Sequence, residues 1–116
     1  MTVPRRGEIH LVEFDLSRGH EIQKTRPALI IQNDIGNRHS PVTKVAAITS
    51  AISAHPVAVS IAPTQANGLS VPSKIHLGQI RSVDRERLVK RLGVVDPTTM
   101  RRVDDALKIS LGLVEI

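Results

Sequence analysis

The chain contains no cysteine, tryptophan or tyrosine, and Phe14 is its only aromatic residue. Without cysteine, neither a disulfide nor a thiolate metal site can hold the fold, and a reducing cytoplasm is compatible with that. Without aromatics interleaved among basic residues there is no stacking platform of the RNA-recognition-motif kind. A nucleic acid must then be held by charge and hydrogen bonds, with histidine stacking at most. No apolar run approaches the roughly 20 residues that span a bilayer, and no basic, apolar, small-residue N-terminal pattern marks a signal peptide. The expected setting is the cytoplasm, with no membrane. GxSxG, Walker, Rossmann and HExxH signatures are all absent. His10, His20, His39, His55 and His76 include no pair at helical ligand spacing, so no metal site is expected.

What is present is enough for one domain over residues 1–116 with a wholly aliphatic core, since 41% of the chain is hydrophobic. The formal net charge is +5 and the sequence pI is about 10.5. That balance favours a polyanionic partner, and ribosomal, nucleic-acid and anionic-membrane surfaces all fit it.

The pattern predicts mostly short strands. Glu8–Phe14 read as a first strand with Ile9, Leu11 and Phe14 inward. Residues 15–25 are polar and of functional-loop length. Ala28–Ile31 form an unbroken apolar run, the sign of a strand buried on both faces. Residues 34–41 read as a second loop, with Gly36 placed for a positive φ. Val42–Ile48 and Pro56–Ile61 are further strands, the second with Val57, Val59 and Ile61 inward. Lys74–Leu77 and Gln79–Val83 are two short strands about Gly78, a glycine suited to a bulge or tight bend. Asp84 is placed to cap a short helix containing Leu88 and Val89. Asp96-Pro97 opens a helix of about four turns. Its apolar stripe is Met100, Val103, Leu107, Leu111 and Val114. Short strands followed by one terminal helix imply a small curled antiparallel sheet or barrel packed on that helix.

One constellation carries chemistry. Arg26 precedes Pro27, so its backbone is held extended at the mouth of the buried strand. A guanidinium held that way suits anion recognition, and it equally suits a structural ion pair. Glu21 and Lys24 lie in the loop just before it. Thr49 and Ser50 end a strand that hairpin logic sets beside the Arg26 strand, and Gln79 and Arg81 lie on the later strand. A carboxylate, an arginine and a hydroxyl together bind and polarise a phosphodiester. Each also has a structural reading: Glu21 as a solvated acid, Thr49 as a strand-end hydroxyl, Arg81 as a surface charge.

The segment Arg26-Pro27-Ala28-Leu29-Ile30-Ile31-Gln32-Asn33-Asp34 resembles the RP-x-(apolar run)-QND segment of the MazF/PemK toxin family of bacterial toxin–antitoxin pairs. The likeness extends through Ile35–Pro41, Val45–Thr49, Gln79–Asp84 and Val103–Leu113, and to Arg6-Gly7-Glu8-Ile9 and Gly19-His20-Glu21. It implies an SH3-like barrel of antiparallel strands with a C-terminal helix, working as a homodimer. It implies a sequence-specific endoribonuclease of single-stranded RNA that needs no metal or other cofactor. In that reaction the RNA 2′-hydroxyl attacks the adjacent phosphorus, leaving 2′,3′-cyclic phosphate and 5′-hydroxyl ends. The partner implied is a cognate antitoxin whose disordered segment blocks the site.

Carried over by position, Arg26, Thr49 and Glu21 match the family's catalytic residues, with Lys24, Thr25, Ser50, Gln79 and Arg81 expected to bind RNA. An arginine titrates above about 12 and is a poor general base. Arg26 is therefore expected to stabilise the phosphorane, and Thr49 to donate to a non-bridging oxygen. Glu21 either accepts the 2′-hydroxyl proton or orients Arg26. Ser50 is the weaker hydroxyl, because successive strand residues face opposite ways. Gly78 and His39 depart from the glutamate and the aromatic that relatives often carry there. The alternative of another class is a non-enzymatic CcdB-like toxin that binds DNA gyrase.

Overall fold

A computed structural model describes residues 3–14, 25–50 and 56–115. Strands β1 (Glu8–Glu13) and β2 (Thr25–Ile30) are followed by a short helix α1 (Asp34–His39). Strands β3 (Val42–Thr49), β4 (Ala58–Ile61), β5 (Ser73–Asp84) and β6 (Leu88–Val94) come next, and α2 (Pro97–Ser110) closes the order. The strands form one antiparallel sheet in the order β4-β5-β3-β2-β1-β6. Among the described residues no ladder joins the edge strands β4 and β6. Their edges meet instead through the turn after β4, where the Val94 amide donates to the Ala66 carbonyl at 2.9 Å. A Cβ on Gly93 would sit 2.1 Å from that oxygen, so only glycine admits the approach. The mainly β architecture with a C-terminal helix is the one expected.

The core lies between one face of the sheet and α2. Ile9, Leu29, Ile48, Val59, Ile75 and Leu77 meet Val103 and Ala106 of the helix. Each such side chain contributes about 1.5–3 kcal/mol by leaving water, so this layer dominates stability. The Asp96 side chain caps α2 through the Thr99 amide, and Pro97 opens its first turn, as its sequence signature predicts. On the other face Val12, Ala28, Ile30, Val45 and Val83 form a smaller cluster, with Phe14 and Leu88 against it. Ala28, Leu29 and Ile30 are all fully buried, as expected of a strand covered on both sides. Val57, Val59 and Ile61 are inward as predicted.

Several local expectations are corrected. Residues 34–39 are helical rather than looped, and Gly36 does not take a positive φ. Asn33 caps this single turn by accepting from the Gly36 amide at 2.8 Å. Lys74–Leu77 and Gln79–Val83 belong to one strand, β5, whose pairing with β3 shifts between Ala46 and Ala47 opposite the Gly78 region. Leu88 and Val89 begin β6 instead of lying in a helix; only a 3₁₀ turn, Arg85–Arg87, precedes them, and Asp84 makes no side-chain cap. In β1, Val12 is fully buried while Leu11 and Phe14 are half-buried. Leu111 and Val114 lie beyond α2 and are exposed.

Polar order is concentrated where β2 turns into β3. Asn37 is fully buried. Its amide nitrogen donates to the Gln32 carbonyl at 3.0 Å, and its oxygen accepts from Gln32 Nε2 at 3.1 Å and Thr43 Oγ1 at 2.7 Å. Gln32 also donates to the Val42 carbonyl and accepts from Lys44 Nζ. Replacing Asn37 by alanine strands at least two buried partners, at roughly 1–3 kcal/mol each. Urea denaturation of Asn37→Ala should therefore show a loss of about 2–4 kcal/mol. The exposed neighbour Arg38→Ala should change stability by less than about 0.5 kcal/mol.

Candidate active site

Residues paired across an antiparallel ladder point to the same face of the sheet. Strands β2 and β3 pair Ala28 with Ala47, Leu29 with Ala46 and Ile30 with Val45. Continued by two residues, this register sets Arg26 opposite Thr49. On its other side Arg26 pairs with Val12 of β1, Thr49 pairs with Lys74 of β5, and Lys74 with Ser60 of β4. One row across five strands thus reads Val12, Arg26, Thr49, Lys74, Ser60. It lies on the face turned away from the α2 core. Directly opposed side chains have Cβ atoms about 4.5–5.5 Å apart, so Thr49 and Lys74 are immediate neighbours, at the end of β3 nearest Arg26.

The neighbouring row reads His10, Ala28, Ala47, His76. Two alanines thus stand between two imidazoles on the same face. His76 Nδ1 accepts from the Gly78 amide at 3.2 Å, which leaves Nε2 as the protonated nitrogen. A Cβ on Gly78 would press on that ring at 3.0 Å. Glycine at this position thus leaves the ring room to keep its position.

Arg26 is exposed at the first turn-out of β2, and among the described residues its guanidinium makes no hydrogen bond or ion pair. The structural ion-pair reading therefore finds no partner there. Thr25 is exposed beside it, opposite Glu13. Thr49 is half-buried. Ser50 lies past the end of β3 and lines a cavity of about 380 Å³ with Ser60, Ile61, Pro72, Ser73 and Lys74. That cavity opens at the Lys74 end of the row. Gln79 is exposed in the shifted part of β5. Arg81 is displaced along the ladder, opposite Val45, and sits over the Phe14 ring at 5.5 Å from its centroid. It borders a separate cavity of about 260 Å³ with Phe14, Val42, Asp84 and Arg87. The register brings Arg26 and Thr49 together and leaves Arg81 outside their row. Glu21 and Lys24 lie outside the described residues.

Two members of the site were missed in sequence. In sequence, Lys74 reads only as a strand residue, and His76 only as a strand residue and one of five histidines weighed for a metal site. Their relation to Thr49 and Ala47 depends on the β3–β5 register, and alternate spacing on the strand was the only local signal that they share a face.

The family model described as a PemK-like, MazF-like toxin of a type II toxin–antitoxin system matches residues 5–111. Endoribonuclease EndoA of Bacillus subtilis is 40% identical over 115 residues, covering 97% of this chain and 98% of that protein. Among solved structures, an endoribonuclease in complex with its cognate antitoxin from a Mycobacterial species superposes with a TM-score of 0.79 at 26% identity. It covers 97% of this chain and 99% of the other. The MazE–MazF structure from Deinococcus radiodurans gives a TM-score of 0.83 at 25% identity, covering 98% and 100%.

An arginine kept for chemistry rather than packing should be dispensable to the fold. Arg26→Ala is expected to unfold in urea within about 0.5 kcal/mol of the parent protein.

Proposed function

The chain belongs to the MazF/PemK family of endoribonuclease toxins of type II toxin–antitoxin systems, and we propose that it cuts single-stranded RNA at short sequences by attack of the RNA's own 2′-hydroxyl. The observation that carries this reading is the register, in which Thr49 pairs with Lys74 and Arg26 lies two residues beyond the Ala28–Ala47 pair, toward Thr49. The near-full-length likeness to an endoribonuclease sets the gyrase-binding alternative aside.

In the proposed step the 2′-oxygen forms a bond to phosphorus as its proton leaves. The P–O5′ bond breaks, and the 5′-oxygen takes up a proton. The products are a 2′,3′-cyclic phosphate and a 5′-hydroxyl. Charge accumulates on the non-bridging oxygens of the phosphorane. Arg26 meets it with a fork of fixed donors, and Thr49 adds a hydroxyl donor to one oxygen. Lys74 adds positive charge from the adjoining strand. Glu21 takes the 2′-proton or holds Arg26 in place, and Lys24, Thr25, Ser50 and Gln79 bind the flanking strand. No metal or other cofactor enters the step.

The same reading includes a cognate antitoxin, as in the Mycobacterial complex, and a cytoplasmic setting. No helix among the described residues is long and apolar enough to cross a membrane. It also includes a homodimer, supported by the exposed Leu111, Leu113 and Val114 after α2. Light scattering at micromolar concentration should give twice the 12.7 kDa chain mass, and a monomer would remove the dimer from the proposal.

The reaction is tested with mixed-sequence single-stranded RNA in excess EDTA. Discrete cuts with cyclic-phosphate and 5′-hydroxyl ends are expected. Arg26→Ala should slow cleavage by about 10²–10³-fold, and Thr49→Ala should also slow it. Cutting that needs added metal, or equal cutting by Arg26→Ala, would overturn the assignment.

A further inference from the structure

At the β6 edge of the same face, a cavity of about 210 Å³ is lined by Glu8, His10, Arg85, Lys90 and Arg91, with Leu88 on its apolar rim. Three permanent cations and a single carboxylate line it. Glu8 is already committed: its oxygens accept from the Arg5 amide at 2.9 Å, from His10 Nε2 at 3.0 Å and from Arg91 Nε at 2.9 Å. Burial alone would raise its carboxyl. The hydrogen bonds from His10, the Arg5 amide and Arg91 outweigh burial and hold it below the ordinary carboxylate range. Glu8 is therefore an anchor for the cations rather than an open acceptor.

The donors left over are what the cavity offers. Arg91 spends only its Nε on Glu8, and the bond fixes the plane of its guanidinium. Among the described residues Lys90 makes no hydrogen bond or ion pair, and the buried Arg85 Nε has no partner. The backbone of Arg85 is pinned by its amide donating to the Pro41 carbonyl at 2.9 Å. A buried guanidinium N–H without an acceptor is costly to keep, and an anion in the cavity supplies the acceptor. Three cations on separate backbone positions suit a tetrahedral group with several terminal oxygens. A planar carboxylate is satisfied by one guanidinium fork.

We infer that Arg85, Lys90 and Arg91 form a second phosphate site, which holds a phosphate of the RNA strand away from the scissile bond. The inference rests on the ribonuclease reading, and continuity of the face supports it. His10, at the wall of this cavity, pairs with Ala28 and is thus a diagonal neighbour of Arg26 at about 7–8 Å. A strand lying over Arg26 runs toward this corner when it follows the His10 side. The site anchors the strand and leaves the bond-breaking step to the Arg26 row.

The test is binding of a short, fully 2′-O-methylated mixed-sequence RNA (uncleavable for want of a 2′-hydroxyl), measured by fluorescence anisotropy across a salt series. Lys90→Gln, an exposed change, and the pair Arg85→Gln with Lys90→Gln are compared with the parent protein. The pair should weaken binding by about tenfold and make the log–log salt slope shallower by about 0.7, the share of one phosphate on a single strand. Lys90→Gln alone should shift both in the same direction, which keeps the test open should the pair fail to fold. Parent-like affinity and slope in both variants would overturn the inference while leaving the ribonuclease reading intact. Parent protein that neither binds nor cuts RNA would remove that reading and the inference with it. Loss of inorganic-phosphate binding or of polyglutamate binding, with RNA binding unchanged, would reassign the cavity to a free anion or an acidic peptide and likewise overturn it.

Discussion

The buried Asn37 side chain joins the exit of β2 to the entry of β3 through Gln32 and Thr43. These bonds span a six-residue helical turn and leave little latitude in how the two strands meet. A shift of one residue in that pairing would turn every β3 side chain to the other face. Thr49 would then point toward the α2 side, and Arg26 would lose the hydroxyl opposite it. A polar network placed at the far end of the β2–β3 pair from Arg26 thus sets the geometry of the site. Arg6 reinforces it from the N-terminal side. Its amide donates to Asp34, its Nε to the Ile31 carbonyl, and its terminal nitrogen pairs with Asp104 of α2 at 2.6 Å. The Arg6 amide is the main reason the Asp34 carboxyl is held below its usual range.

The sheet divides its labour by face. Aliphatic side chains and α2 fill one face, and burial there supplies most of the stability. The other face carries a small apolar cluster at its centre and charge around it. Stability on one side lets exposed groups on the other remain unsatisfied until a ligand arrives. Arg26 is the plainest case, since its backbone is fixed by Pro27 and by the Val12 pairing while its guanidinium makes no hydrogen bond or ion pair among the described residues.

Recognition is built almost without aromatics. Phe14 packs on the small cluster and lies under Arg81, so the single aromatic ring is occupied by a cation. On the proposed reading, affinity comes from guanidinium, ammonium and hydroxyl donors, and binding by such groups is strongly dependent on salt. That reading also draws specificity from donors such as Gln79 more than from stacking.

Much was legible in the sequence. The unbroken apolar run at 28–31, the Asp96-Pro97 helix start and the alternation at 57–61 are local signals, and each element formed where its signal lay. The resemblance to the family also singled out Arg26 and Thr49. Other elements carried conflicting local signals. Residues 34–39 look like a turn because Gly36 and Asn37 favour one, yet the Asn33 cap and the burial of Asn37 favour a helical turn. Strand β6 is interrupted by Lys90, Arg91 and Gly93, which suit an edge strand that neighbours only β1. Arg26, Thr49 and Glu21 could be named from the sequence because motif and residue type are local properties. That Lys74 stands beside Thr49, that two alanines separate His10 from His76 on one face, and that Arg85, Lys90 and Arg91 line one cavity were decided only by the tertiary structure. Each of these depends on strand register and sheet curl, which arise from contacts between residues far apart in the chain.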